Sequence, residues 1–254
     1  MLAGAPSETL LEKAAIDNGF DQELPRQGAW LGYGSTQAPL SVWLNFDPEG
    51  RPVVALSRWD VARALTQGAP AALLQLPEGA AAAHAVSDLA VLHRFLRRAW
   101  QLARTLPDEL LHAFEHKTAA LPRTTEAERL VMQRVGQDLF RAGLLEYWEG
   151  RCAVTGLAVP ELLRASHIKP WADCETDAER LDVFNGLLLA PNLDAAFDRG
   201  FITVRDDGEL TVSPALPGVD RMLLGLGAPL RVRGLAEGHR RYLQWHRERL
   251  FKGG

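Results

Sequence analysis

One segment, Leu162 to Val204, constrains the fold more than any other part of the chain. It reads LLRASHIKPWADCETDAERLDVFNGLLLAPNLDAAFDRGFITV. The pattern ELLRASHIKPW predicts a strand that runs into a loop, and NGLLLAP predicts a short apolar segment. NLDAAFDRG then predicts a helix of about two turns that ends at Gly200. In the predicted unit, polar side chains lie between apolar runs. Such side chains are rarely buried in a protein core.

The first half of the chain predicts a small antiparallel sheet followed by helices. Residues 7–18 predict a helix with Ser7 as its cap. Residues 28–57 predict strands, because SVWLNF and PVVALS flank the turn sequence DPEG. Residues 58–118 are rich in Ala, Leu and Arg and predict helices broken by prolines.

The second half begins after a predicted joint at residues 121–125, LPRTT. Thr125 and Glu128 form a capping box that predicts the start of a helix. FITVRDDGELTVS predicts a hairpin, and residues 235–252 predict a basic helix. The helix after the joint has a predicted apolar stripe of Leu130, Val131, Val135, Leu139, Leu144, Leu145 and Trp148. We therefore predict an α+β protein with an accessory domain at 1–120 and a second domain at 121–254.

Composition places the chain among ordinary globular proteins. Of its 254 residues, 47% are apolar and 24% are charged, and the net charge is −4. Two cysteines cannot build a disulfide framework. The N-terminus lacks the pattern of a signal peptide, and no apolar run reaches the roughly 20 residues of a membrane span. These features predict a cytoplasmic protein.

The polar residues of the 162–204 segment suggest hydrolytic chemistry. Asp194 and Asp198 are four residues apart, so they share one face of the predicted helix. Two neighbouring carboxylates repel each other unless a cation lies between them, and oxygen ligands suit Mg²⁺ or Mn²⁺. His167 is a candidate general base toward water, and Asn185 is a candidate to orient its ring. Together these groups are the parts needed to hydrolyse a phosphodiester.

The same segment resembles the HNH nuclease family, whose active site is a ββα-metal motif. The resemblance rests on four pieces in order: CAVTG from Cys152, ASHIKPW from Ala165, NGLLL from Asn185 and DAAFDRG from Asp194. Between the key residues, 17 positions separate His167 from Asn185 and 8 separate Asn185 from Asp194. The match spans about residues 125–215.

The resemblance implies a role for each matching residue. His167 would be the general base, and Asn185 would hold its imidazole. Asp194 would take the place of the family's last His as a metal ligand, and Asp198 would be a second ligand. Ser166 stands where many relatives have an Asp or His ligand, so water, Ser166 or another carboxylate would complete the site.

Many relatives also carry paired zinc-binding cysteines, but here Thr155 occupies the second position of the pair that begins at Cys152. We therefore expect no structural zinc.

The C-terminal segment is basic, although the net charge of the whole chain is negative. Residues 231–254 contain seven Lys or Arg side chains and two Glu. A helix there could pack on its apolar side and turn Arg toward phosphates, or it could be only a solvated surface. The predicted nucleic-acid contacts are Lys169, Arg199, Arg240 and Arg247.

The resemblance implies a metal-dependent endonuclease acting on DNA, with restriction or anti-phage defence as its setting. By analogy with modification-dependent restriction enzymes, residues 1–120 are expected to recognise modified or phage DNA, to bind a partner protein or to form a homodimer. One site cuts one strand at a time, so double-strand cleavage would need a dimer or two successive nicks.

Two other functions remain open from the sequence. Because Ser166 is a poor ligand, the chain could be an inactive DNA-binding protein of the same fold. The sequence HAFEH also matches the H-x-x-E-H zinc-peptidase pattern, with His112, Glu115 and His116 as its residues. That pattern also needs a distant third ligand, and it arises by chance on exposed helix faces.

Overall fold

A computed structural model describes residues 5–65, 75–119 and 126–253 of the chain. Helices and antiparallel sheets are both present, which confirms the α+β prediction. Contacts divide the chain into two compact units, Met1–Leu106 and Pro107–Gly254. The predicted boundary at 120/121 stays a prediction. In the described part, no helix is both long and apolar enough to cross a membrane.

The first unit is built on a five-stranded antiparallel sheet with its strands in sequence order. Its elements are α1 (Ala5–Asp17), β1 (Gln22–Gln27), β2 (Trp30–Gly34), β3 (Ser41–Phe46), β4 (Pro52–Leu56), α2 (Trp59–Leu65), β5 (Ala82–Ala85) and α3 (Leu89–Thr105). The predicted hairpin is confirmed, because β3 pairs with β4 and Gly50 N–H donates to the Asp47 carbonyl across the DPEG turn.

Two strands of this sheet differ from the sequence prediction. Strand β5 lies in a stretch predicted as helix, because pairing of Ala83 with Ala55 overrides the helix propensity of alanine. Strand β1 is a mostly exposed edge strand, so it lacks the apolar alternation that marks a half-buried strand. Ser7 lies inside α1 and is not its first residue. The helices predicted across residues 66–74 fall outside the described residues.

The second unit combines helices with two small antiparallel sheets, β6 with β7 and β8 with β9. Its elements are α4 (Pro107–Thr118), α5 (Glu126–Tyr147), β6 (Arg164–His167), α6 (Asp177–Leu181), β7 (Gly186–Leu189), α7 (Pro191–Asp198), β8 (Ile202–Val204), β9 (Leu210–Val212), α8 (Gly218–Leu223) and α9 (Arg240–Arg249). The hairpin β8–β9 and a helix within the basic C-terminus are confirmed.

Only part of the predicted stripe on α5 is buried, including Leu144 and the following Trp148. Leu130 and Val131 are 61% and 50% exposed. The buried residues of this helix are Gly136, Phe140, Gly143, Leu144 and Tyr147. Two of these buried residues are glycines, so the apolar periodicity of the sequence does not reveal the buried face. Neighbouring side chains approach the helix closely at both glycines, which leaves no room for a larger residue. The capping residue Thr125 lies outside the described residues.

The β6–β7 pair and α7 place the polar residues of the 162–204 segment. Ser166 pairs with Leu187 and His167 pairs with Gly186. A Cβ at Gly186 would come 2.5 Å from the Phe140 ring, so only glycine lets this sheet approach α5 so closely. Helix α7 follows β7 directly, with Pro191 at its first position.

The end of α7 supplies a test of the fold. Gly200 has a φ of +70°, and a Cβ there would overlap the Leu250 carbonyl group. Gly225 has a similar φ of +76° with nothing within 4 Å. We expect Gly225→Ala to lower the free energy of unfolding by about 1 kcal/mol, the cost of a left-handed alanine. Gly200→Ala should lower it by about 3 kcal/mol or more, because the chain after α9 must move. Urea unfolding of both variants measures the difference, and equal losses would contradict this packing.

Candidate functional site

His167 lies at the end of β6 with its imidazole enclosed by aromatic rings. It stacks on Phe140 with ring centroids 3.7 Å apart and planes 15° from parallel. Trp171 meets it edge-on at 5.6 Å. The residue keeps some exposure to solvent. The two ring contacts therefore fix the orientation of the imidazole.

The tautomer of His167 follows from the hydrogen bond of its Nε2 atom. Nε2 lies 2.9 Å from the carbonyl oxygen of Arg180. A carbonyl can only accept, so Nε2 carries the proton. Burial lowers the pKa of His167 to about 4, although the Arg180 carbonyl opposes this shift. At neutral pH the ring is thus uncharged, and Nδ1 has a lone pair to accept a proton.

Asn185 does not contact the His167 ring through its side chain, which corrects the expected role. Its side chain is fully buried. Oδ1 accepts from the Lys169 N–H at 2.8 Å, and Nδ2 donates to the carbonyls of Lys169 and Glu179 at 3.1 Å each. Asn185 therefore ties together the two ends of the loop that follows β6. The Arg180 carbonyl belongs to this loop, so Asn185 acts on His167 through the backbone.

Other side chains stabilise the same loop. Lys169 Nζ pairs with Glu179 at 3.0 Å. The Arg180 guanidinium donates to the Trp171 carbonyl at 3.3 Å and to Asp177 at 2.9 Å. The carbonyl of Arg180 is thus oriented by a cross-linked segment.

Helix α9 anchors this segment from the other side. The buried carboxylate of Asp182 accepts from Arg241 at 2.7 Å and from the Tyr242 hydroxyl at 2.9 Å. The Asp182 carbonyl also accepts from the Asn185 N–H at 2.8 Å. Two side chains of the basic helix thereby position the Asn185 turn.

Asp194 and Asp198 form the acidic part of the site. Ser166 is buried, and its hydroxyl donates to Asp198 Oδ1 at 3.1 Å. Loss of hydration raises the pKa of Asp194, outweighing the Ser166 hydroxyl and the positive charge of Arg164. The pKa of Asp198 is raised by the same loss of hydration and then by the negative charge of Asp194. The two carboxylates therefore disfavour each other's ionisation.

This donor set fits a magnesium-like ion. Among residues 5–65, 75–119 and 126–253, no group of three or more His, Cys, Asp or Glu side chains could hold a metal. The oxygen donors present are two carboxylates and the Ser166 hydroxyl. Mg²⁺ is commonly bound by one or two carboxylates, with water and substrate phosphate as its other ligands. A cation would also relieve the repulsion that raises the pKa of Asp198.

The predicted nucleic-acid contacts lie in different environments. Lys169 pairs with Glu179 and has only 11% of its side chain exposed. Arg240 pairs with Glu237 at 2.7 Å, and Arg247 pairs with Asp206 at 2.8 Å. In this structure these three charges pair with carboxylates of the same chain, and their contact with phosphates stays a prediction. Arg199 is exposed, and its side chain has no ion pair within the described residues.

The residues of the HAFEH pattern lie on α4. His112, Glu115 and His116 are all exposed on this helix. Within the described ranges they form no group with a further ligand that could hold a metal. Their placement is that of an ordinary polar helix face.

Sequence reasoning missed Phe140 and Arg180. Phe140 belongs to the glycine-rich face of α5, where the apolar period is incomplete. Arg180 acts through its backbone carbonyl, which any residue type supplies, so no sequence signal could have identified it.

Comparison with known proteins agrees with the site. The model of the HNH endonuclease family matches residues 152–205, well under half of the chain. That range contains His167, Asn185 and both aspartates. No curated protein matches the chain.

The contacts of Asn185 give a test of its indirect role. Asn185→Asp should lower the free energy of unfolding by about 3 kcal/mol, because a carboxylate would then face the carbonyls of Lys169 and Glu179. Asn192→Asp is a control, since Asn192 makes one exposed bond to the Leu224 carbonyl. Urea unfolding checks the pair. A stable Asn185→Asp protein would contradict the assignment of this side chain to the loop.

Proposed function

Residues 152–205 belong to the HNH endonuclease family, and from this premise we propose that the chain cleaves DNA with the help of a divalent metal. The observation that carries the proposal is the His167 ring, uncharged and held by Nε2 on the Arg180 carbonyl beside Phe140. On the same strand, Ser166 links β6 to the acidic pair on α7.

His167 acts as general base in this proposal. Nδ1 takes a proton from the attacking water while Nε2 stays on the Arg180 carbonyl. The low pKa makes the ring a weak base, but it keeps the base form populated across the neutral range. Asn185 is a positioning residue, because it fixes the loop that carries the Arg180 carbonyl.

Asp194 and Asp198 would hold Mg²⁺ or Mn²⁺, with Ser166 orienting Asp198. The ion, when bound, supplies positive charge that stabilises the developing charge on the phosphate and leaving oxygen. The carboxylates bring two negative charges to the site, so substrate binding also depends on nearby cations. Arg199 is exposed at the end of α7 and is one such cation.

We further propose restriction or anti-phage defence as the setting, with the first unit recognising modified or phage DNA. We take as support an open surface groove of about 570 Å³ in this unit, a volume within the roughly 300–1,000 Å³ of small-ligand sites. Gln27, Trp30 and Glu78 are among the residues that line it. A homodimer would allow cleavage of both strands.

Cleavage of supercoiled plasmid tests the proposed function. The wild-type protein should nick or linearise it with Mg²⁺ or Mn²⁺ but not with EDTA. His167→Ala should lower the rate roughly 10²- to 10⁴-fold, the usual contribution of a general base. Plain and phage-modified DNA are compared to find the preferred substrate.

His112→Ala is the matched control, because His112 is exposed on α4. It should cut at the wild-type rate. DNA binding by the wild type without cleavage of any substrate would contradict the nuclease proposal and favour an inactive DNA-binding protein. Peptidase activity lost in His112→Ala but kept in His167→Ala would favour the zinc-peptidase alternative.

A further inference from the structure

Arg164 lies on the same face of β6 as Ser166. Successive side chains of a strand point to opposite faces, so residues 164 and 166 point one way and His167 points the other. Ser166 contacts Asp198, and the charge of Arg164 acts on Asp194 one helical turn earlier. The strand thus presents a hydroxyl and a guanidinium along the acidic side of α7.

Arg164 differs from Arg241 and Arg247 of the basic C-terminus, because its side chain has no partner among the described residues. Its residue is exposed, and its side chain forms no ion pair or hydrogen bond with any residue that the structure describes. Arg241 and Arg247 are paired with Asp182 and Asp206. Arg164 is near enough to influence Asp194 and yet does not close an ion pair with it. Its donors remain available to an anion.

A phosphodiester can bind near the acidic pair only if a positive group lies close by. A phosphodiester carries a negative charge, and two carboxylates repel it unless positive groups lie on the approach. Guanidinium groups bind phosphate oxygens in a bidentate manner and keep their charge at all working pH values. From this placement on β6, we propose that Arg164 binds a non-bridging oxygen of the phosphodiester that is cleaved. The inference rests on the proposed nuclease function and adds a substrate-binding residue to it.

A competing explanation is that Arg164 only offsets the charge of Asp194. Both explanations predict that Arg164→Ala disturbs the acidic pair. A direct phosphate contact also predicts a change in the salt dependence of DNA binding, which a purely intramolecular role does not.

The test measures binding of a short labelled DNA duplex without divalent metal, from about 50 to 200 mM salt. All proteins carry His167→Ala, so that no DNA is cut. Arg164→Ala should reduce the slope of log K against log salt by about one, the loss of one phosphate contact. Arg205→Ala is the control, because Arg205 is 61% exposed in the turn that follows β8. It removes the same charge and should leave the slope unchanged.

Cleavage of plasmid by the variants with His167 intact is the second readout. Arg164→Ala should cut about 10²- to 10³-fold more slowly, and Arg164→Lys should recover part of the rate, because lysine keeps the charge but not the bidentate geometry. Arg205→Ala should cut at the wild-type rate.

The outcomes separate this inference from the proposed function. A lower slope for Arg164→Ala in a protein that cuts nothing would support the phosphate contact and reject the nuclease. Unchanged slope and rate in a protein that does cut would overturn the role of Arg164 alone. Equal losses for the Arg164 and Arg205 variants would also overturn it, since the effect would then be one of overall charge. A protein that neither binds nor cuts DNA would overturn both.

Discussion

The buried amide of Asn185 is the interaction on which the rest of the site depends. Its three backbone hydrogen bonds join Lys169 to Glu179 and so close the loop after β6. That closure helps to bring the Arg180 carbonyl to His167. A buried amide left without these partners would cost more than the bonds contribute, so the arrangement has little freedom. Asp182 fixes the same turn, because Arg241 and Tyr242 of α9 donate to its carboxylate.

The second part of the site is the acidic pair, Asp194 and Asp198, whose carboxylates repel each other. Asp194 and Asp198 share one side of α7, and loss of hydration raises the pKa of both carboxyls, with the charge of Asp194 adding to the shift at Asp198. A bound cation and an anionic phosphate would complete the balance. On this side of α7, Ser166 donates to Asp198 and the charge of Arg164 acts on Asp194, whereas Arg241 and Arg247 of the C-terminus pair with Asp182 and Asp206.

Some features followed directly from sequence, and others had no sequence signal. Alternation and turn residues predicted the hairpins β3–β4 and β8–β9, because both signals are local. Strand β5 was missed because its pairing partner, not its alanine-rich sequence, decides its conformation. Asn185 was recognised as important but assigned the wrong partner. Residue spacing indicates which side chains converge, whereas hydrogen bonds to backbone carbonyls depend on the path of the loop.

The central claim is that the protein presents His167 as an uncharged ring with Nδ1 free to accept a proton. Ring ¹⁵N NMR of the intact chain tests it directly, with His167→Ala identifying the signals. The account predicts an Nε2–H tautomer at pH 7 that titrates near pH 4, since burial lowers the pKa of this ring to about 4. A ring that is charged near neutral pH, or that carries its proton on Nδ1, would contradict the account.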